Sequence, residues 1–201
     1  AQFLDRLVKT LDAPLESGGG TLNVLRKGFK KTPGKFSMCE FKPATTQNPT
    51  AMARYDAVRV RVMRQVYYST KNTNSIDLVC FINGIPVATL ELKTENTQSI
   101  EDAKKQYRDN RLPAGEPLLG FANRCLVHFA VSNDEVAMTT RLNGKDTYFL
   151  PFNRGDNGAA GNPVNPDGAA SSYLWEQVLQ RDSWLHIIGK LLHIETKTDI
   201  D

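Results

Sequence analysis

Within 201 residues, the clearest candidates for a reactive centre are Asp77, Glu91 and Lys93. Asp77 interrupts the apolar run Ile76-Asp77-Leu78-Val79, and Glu91 interrupts Leu90-Glu91-Leu92-Lys93. A carboxylate inside an apolar strand is costly unless it is paired or binds a cation. Strand alternation puts Glu91 and Lys93 on one face of a sheet. Two carboxylates gathered on such a face form a hard-oxygen site for Mg²⁺, which usually keeps several waters. The metal would lower the pKa of a bound water and offset charge on a phosphate. A lysine beside it could orient or help deprotonate that water, or stabilise the pentavalent state. The chemistry implied is metal-assisted phosphodiester hydrolysis. A plain reading competes with it: an aspartate followed later by Glu-x-Lys is common, and both acids would suit an ordinary exposed sheet face.

Whether Asp77 joins Glu91 depends on the turn between their strands. Ile76–Ile82 and Pro86–Lys93 read as two strands around Asn83-Gly84, a strong hairpin signal. With a two-residue loop, Asp77 pairs with Leu90 and Glu91 points to the other face. With a three-residue loop that includes Ile85, Asp77 lies opposite Glu91. The chemistry needs the carboxylates together, so the expectation is a bulge of that kind or an equivalent irregularity.

The elements that must position this hairpin can be read more coarsely. Phe3, Leu4, Leu7, Val8 and Leu11 have helical spacing that stops before Pro14. Thr21 is expected to cap a short helix carrying Leu22 and Leu25, ended by Gly28. Residues 43–53, with Pro43, Asn48 and Pro49, read as a loop. Val58, Val60 and Val62 alternate with Arg59, Arg61 and Met63, which predicts a strand with an apolar and a basic face. Ser99 with Asp102 three positions later opens a helix to about Arg111, ended by Leu112 and Pro113. Cys125–Ser132, Glu135–Thr140 and Thr147–Leu150 read as further strands. Residues 153–170 read as a long mobile loop, and the tail as a helix with Leu185, Ile188 and Leu192 on one face, capped by Asp182. Hairpins mixed with helices predict an α/β fold, a mixed sheet flanked by helices.

Composition bounds the rest. The length suits one domain with an appended piece and is enough to bury a core without metal or disulfide support. No apolar run approaches a membrane span and no signal-peptide pattern is present. Cys39, Cys80 and Cys125 are odd in number and far apart, and read as reduced thiols of a cytosolic (cytoplasmic) protein. The net charge is +3, but residues 26–64 alone carry +8, from ten basic side chains against Glu40 and Asp56. That segregation suits a polyanion on one face, and suits equally well a lysine-rich solvated surface. There is no GxxxxGK[ST] loop for ATP phosphates.

The wording around the hairpin adds a resemblance. Asp77 followed by Glu91-x-Lys93 resembles the PD-(D/E)xK nuclease superfamily. Arg64-Gln65, the run SIDLVCFINGIPVATLELK at 75–93, and Asp102-Ala103 to Gln106-Tyr107-Arg108-x-x-Arg111 resemble the N-terminal endonuclease domain of the R (HsdR) subunit of type I restriction enzymes. So do RCLVHFAVS at 124–132, FLPFN at 149–153, GNP at 161–163 and SYLWEQVLQRDSWLHII at 172–188.

The resemblance implies a restriction-endonuclease-like fold and a Mg²⁺-dependent type I site-specific deoxyribonuclease domain. Asp77 and Glu91 would be the metal ligands and Lys93 the catalytic lysine. It also implies double-stranded DNA as substrate, and modification (M) and specificity (S) subunits as partners in a longer assembly. The ATP-driven motor of such a subunit is not expected within these residues. Residues 1–170 would be the endonuclease domain, and 171–201 a helical tail leading toward the motor. The superfamily's proline is absent before Asp77, where Ile76 stands. A Gln-x-x-x-Tyr element on the next helix is half kept: Gln106 fits, but Asn110 stands in the tyrosine's place. Asp5, Asp12 and Glu16 are candidates for a first-helix acid, with nothing to choose among them.

Other residues were weighed for DNA contact or metal binding. Lys104, Lys105, Arg108 and Arg111 could track a DNA backbone, with Arg108 preferred and Arg64, Gln65 and Gln106 as further positioning candidates. A solvated helix face is the competing reading for the lysines. His128, His186 and His193 read as structural, because no cysteine partners them at zinc-like spacing. The competing function is a non-catalytic DNA-docking or assembly module of the same complex.

Overall fold

A computed structural model describes residues 2–94 and 99–195. The chain opens with α1 (Gln2–Leu11) and α2 (Thr21–Lys27), followed by a small hairpin of β1 (Phe29–Lys31) and β2 (Gly34–Phe36), then α3 (Pro49–Asp56). Next come β3 (Val60–Tyr67), β4 (Ser75–Ile82) and β5 (Ile85–Leu92), the helix α4 (Ile100–Asn110), and β6 (Val127–Val131), β7 (Val136–Thr139) and β8 (Leu150–Pro151). β3 to β8 form one sheet in sequence order. All neighbours are antiparallel except β5 and β6, which run parallel. A parallel pair needs a crossover, and α4 is that crossover. The mixed sheet flanked by helices is a restriction-endonuclease-like α/β fold, as the sequence predicts.

Two apolar clusters hold the layers together. On one face Cys80, Ile82, Val87, Leu90 and Phe129 pack with α1, α2 and the tail residues Leu174, Trp184, Leu185 and Ile188. On the other, Val79, Ala130 and Ala137 pack with Ile100, Ala103 and Tyr107 of α4 and with Leu119, Leu142 and Phe149. α4 starts on the predicted capping box: the Ser99 backbone N–H donates to the Asp102 carboxylate at 2.6 Å. The N-terminal helix is as expected, and Phe3 on its outer side joins Phe29 and Phe36 in an aromatic cluster with centroids 5.2 Å away.

Several local expectations are corrected. Residues 43–53 are not all loop: Asn48 Oδ1 accepts the Ala51 N–H at 3.0 Å and Pro49 starts α3, so Asn-Pro is here a cap and first turn. Thr21 is not a cap. It is the first residue of α2, after Gly20, and its hydroxyl donates to the Asn123 carbonyl. β3 is the edge strand of the sheet among the described residues, and its expected apolar face is not buried along its length: Val62 is 58% exposed. Only Val58, before the strand, is fully buried. The strand predicted at Thr147–Leu150 is reduced to Leu150–Pro151.

The tail is helical but not as one α-helix. A short helix, α5 (Arg181–His186), sits between two wider turns in which Leu179 N–H reaches Leu174 O and Leu192 N–H reaches Ile187 O. Gln180, not Asp182, precedes α5. The Asp182 carboxylate instead accepts from Tyr55 Oη at 2.6 Å and pairs with Lys42 and Arg181. Residues 196–201 of the expected tail lie outside the described residues. The 153–170 segment has no long element, yet Asn162 ties it down by bonding Asp134 O and Asn153 Oδ1.

The tight hairpin turn offers a direct test. Asn83 and Gly84 both have positive φ, 47° and 84°, the pairing expected of a two-residue turn between right-twisted strands. A Cβ at Gly84 would meet nothing within 4 Å. Gly84→Ala should therefore cost only backbone strain, about 1 kcal/mol, read as a lower urea midpoint with unchanged slope.

Candidate active site

The hairpin brings the two carboxylates together by a route between the two anticipated. The turn has two residues, with Ile82 opposite Ile85 and Phe81 opposite Pro86. The register then shifts so that Cys80 faces Ala88, Val79 faces Thr89 and Leu78 faces Leu90. Val87 is the extra residue, a bulge three positions beyond the turn. Continued by one residue, the shifted register sets Asp77 directly across from Glu91.

At Asp77 the regular ladder stops. Leu78, Cys80 and Ile82 belong to one core cluster, but Ile76, which even spacing would place with them, packs in the α4 cluster. Opposite Asp77, Gln65 adopts φ 50°, an unusual backbone for a non-glycine residue. The freed Leu92 N–H is taken by Asp77 Oδ2 at 2.8 Å. Gln65 Nε2 donates to Asp77 Oδ1 at 3.1 Å, and the Ser75 hydroxyl donates to Gln65 Oε1 at 2.9 Å. Gln65 thus orients one carboxylate, a role more specific than the DNA contact considered for it.

Glu91 is fully buried in the central strand β5. Arg111, just past the end of α4 and 6% exposed, donates from Nε to Glu91 Oε1 at 2.7 Å and from Nη2 to the Ser75 carbonyl at 2.7 Å. Arg111 is therefore not free to track a DNA backbone, because its guanidinium is enclosed between β4, β5 and α4. Glu91 Oε2 has no hydrogen-bond partner among the described residues. Burial pushes the Glu91 carboxyl up to about 7; Arg111 opposes the shift, and the neighbouring Asp77 adds to it.

Lys93 is half-buried just past β5, and its N–H donates to Val131 O at 2.9 Å. Its ammonium charge helps hold Asp102 below the usual carboxylate range, behind the larger effect of the Ser99 hydrogen bonds. Lys93 thus lies two residues beyond Glu91 with its charge near the start of α4, and among the described residues no ion pair joins it to Asp77 or Glu91.

The remaining candidates spread out. Arg108 Nε donates to Thr147 O at 3.1 Å and its guanidinium lies over the Phe149 ring, so part of its donor capacity is structural. Lys104 pairs with Glu101 at 2.7 Å. Gln106 is half-buried on α4. Arg64 is exposed but pairs across the sheet with Leu78, whose side chain belongs to the face away from Glu91. Among the described residues no three His, Cys, Asp or Glu side chains gather as a metal cluster, so any metal here would rest on two carboxylates and other oxygens.

The sequence reading missed the polar layer beneath the site. Thr89, one turn of the pleat before Glu91, shares hydrogen bonds with Tyr107 Oη and His128 Nδ1, both at 2.7 Å. The period-2 spacing of Thr89, Glu91 and Lys93 was the available signal. His128 is structural, as expected, and burial drives it down to about 3 from an ordinary 6.5. The folded protein holds it neutral, whereas the unfolded chain protonates it below 6.5. Its contribution to stability is thus present above pH 6.5 and lost as the pH falls toward 3. His128→Gln should flatten the decline of unfolding free energy over that interval, measured by urea titration at several pH values.

No helix among the described residues is long and apolar enough to cross a membrane. No curated protein matches the chain. A family model described as the type I restriction enzyme R protein N terminus matches residues 42–147, from before α3 to the strand pair β6–β7 and beyond. That stretch contains Asp77, Glu91, Lys93 and Arg111 and covers just over half of the sequence, and on it the chain belongs to the family of type I restriction enzyme R protein N termini.

Proposed function

We propose that this chain is the Mg²⁺-dependent DNA endonuclease module of a type I restriction enzyme R subunit, hydrolysing phosphodiester bonds at Asp77, Glu91 and Lys93. The observation that carries this reading is the bulged register that sets Asp77 against Glu91 while Glu91 Oε2 stays buried with no hydrogen-bond partner among the described residues. A buried carboxylate oxygen without a partner is costly; a proton shared with the neighbouring Asp77 relieves that cost below about pH 7, and a cation would relieve it once the proton has left. The donors are all hard oxygens, which fits Mg²⁺ or Mn²⁺ and not a soft metal.

Asp77 and Glu91 would hold the ion, which when bound supplies an activated water and charge compensation for the phosphate. The chain's own residues do the rest. Gln65 and the Leu92 N–H fix the Asp77 carboxylate, and Lys93 provides a cation for the scissile phosphate or for orienting the attacking water. Exposed Arg59, Arg61 and Arg64 on or beside β3 supply a basic surface for the duplex backbone. Sequence recognition would belong to the M and S subunits. One observation favours the second reading, a metal-free docking module: Arg111 already compensates part of the Glu91 charge.

The two readings part on metal binding. Under the nuclease reading the chain binds Mg²⁺ or Mn²⁺, and Asp77→Asn abolishes the calorimetric signal. Lys93→Ala should keep the metal yet lower DNA cleavage by the reassembled enzyme about 10²-fold or more. Absence of metal binding, or full cleavage by either variant, would reject the assignment. The pH dependence follows from Glu91: its proton must leave before the carboxylate can ligate, so metal affinity should rise as the pH increases through about 7. An affinity flat across that range would argue that Glu91 is not a ligand.

A further inference from the structure

We infer that Arg111 is the positioning residue that sets both carboxylates at once, so that metal affinity depends on a guanidinium that touches no substrate. The inference rests on the proposed metal site and extends it. Arg111 grips Glu91 Oε1 through Nε and the Ser75 carbonyl through Nη2, both at 2.7 Å. From Ser75 the contacts continue through its hydroxyl to Gln65 Oε1, and from Gln65 Nε2 to Asp77 Oδ1. Two hydrogen-bonded segments, Glu91–Arg111–Ser75 carbonyl and Ser75 hydroxyl–Gln65–Asp77, are joined through the Ser75 backbone and so connect the two oxygen ligands behind the site.

The place of this chain in the fold gives it a purpose. The β4–β5 ladder is regular up to Leu78 opposite Leu90 and then gives way, with Asp77 Oδ2 standing in for a backbone acceptor at Leu92. Backbone pairing no longer fixes the spacing of the strands beyond that point. Arg111 spans the opening: one arm holds β5 through Glu91 and the other holds β4 through Ser75. A planar guanidinium can hold two acceptors in fixed relative directions, whereas an ammonium on a flexible stem cannot.

The arginine is itself fixed from the α4 side. Its backbone N–H bonds Tyr107 O at 3.3 Å, and the carbonyl of the preceding Asn110 is gripped by Tyr68 Oη and Asn74 Nδ2. With Oε1 held in this way, Oε2 keeps one orientation toward an incoming cation. Supporting groups behind metal ligands typically change metal affinity about 10–100-fold when removed.

The test is Mn²⁺ titration calorimetry on the 201-residue chain and on Arg111→Lys, Gln65→Leu and the double variant, with near-ultraviolet circular dichroism to confirm folding. Arg111→Lys keeps the charge but loses the fork, and Gln65→Leu breaks the far end at an exposed residue, so both should fold. Each single variant is expected to bind Mn²⁺ more weakly, about 10–100-fold for Arg111→Lys. The double variant should be little worse than Arg111→Lys alone, because both changes break one chain. Unchanged or tighter Mn²⁺ binding by folded Arg111→Lys would overturn the inference, and so would fully additive losses in the double variant. No Mn²⁺ binding by the unsubstituted chain would overturn the metal-site reading as well, which separates the two failures.

Discussion

The contact between Glu91 and Arg111 is the constraint around which the rest of the molecule is arranged. A carboxylate fully buried in the centre of a sheet needs a cation with excellent geometry, and breaking such a pair from one side typically costs about 3–5 kcal/mol. Replacing the whole pair by apolar side chains is often neutral or favourable, so the pair is not explained by stability alone. Its cation comes from the end of α4, twenty residues downstream of Glu91. That distance is bridged because β6 returns parallel to β5 and must be reached by a crossover helix. The parallel step in an otherwise antiparallel sheet is thus what delivers Arg111 under the hairpin. α4 in turn is held by its capping box at one end and by Tyr107 in the core at the other.

A second constraint acts along β5. Its residues alternate between a purely apolar face, with Ala88 and Leu90 in one cluster, and a polar face with Thr89 and Glu91 turned toward α4. The bulge at Val87 decides which partner on β4 each of these meets. Without it, Asp77 would face Leu90 and the carboxylates would stand on opposite sides of the sheet. One extra residue therefore determines whether the sheet has a two-acid site; a few residues later the ladder opens at Asp77 and Gln65 turns to positive φ. Irregular backbone and convergent polar groups coincide here, as they commonly do where a fold carries chemistry.

What could be read from the sequence follows from how local each signal is. The hairpin, the capping box of α4 and the acidic interruptions in apolar strands depend on neighbours within a few residues, and the structure has them where they were expected. The bulge is expected as a need but not at its position, because nothing within a few residues of Val87 marks it as the extra residue, and it is buried in the core like its neighbours. Arg111 looked like one of four basic residues on a helix face, since nothing nearby in sequence announces that the helix ends against a buried glutamate. The β1–β2 hairpin was overlooked because three-residue strands leave no alternation to detect. Asp182 read as a cap for the same local reason, and tertiary partners, Tyr55 and Lys42, claimed it instead.

The same partition changes the meaning of the charge pattern. The basic stretch before the hairpin suits a polyanion and a solvated surface equally well as a sequence, but its members have different duties in the fold. Arg26 spends its guanidinium on the Ile188 and Leu192 carbonyls that end the tail, and Lys42 pairs with Asp182. Outside the stretch, Arg181 caps Val58 O and stacks on Tyr55, and Arg111 is enclosed. The arginines left exposed near the hairpin are Arg59, Arg61 and Arg64, on or beside a strand that has no neighbour on its outer side among the described residues. Charged residues on such an edge discourage pairing with other chains, and that duty alone would account for them. Their strand also lies beside β4 and carries Gln65 directly against Asp77. Under the proposed function, a phosphate backbone drawn to that edge would arrive one strand away from the carboxylates, so residues that keep the edge soluble would also raise the local concentration of an anionic substrate beside the site.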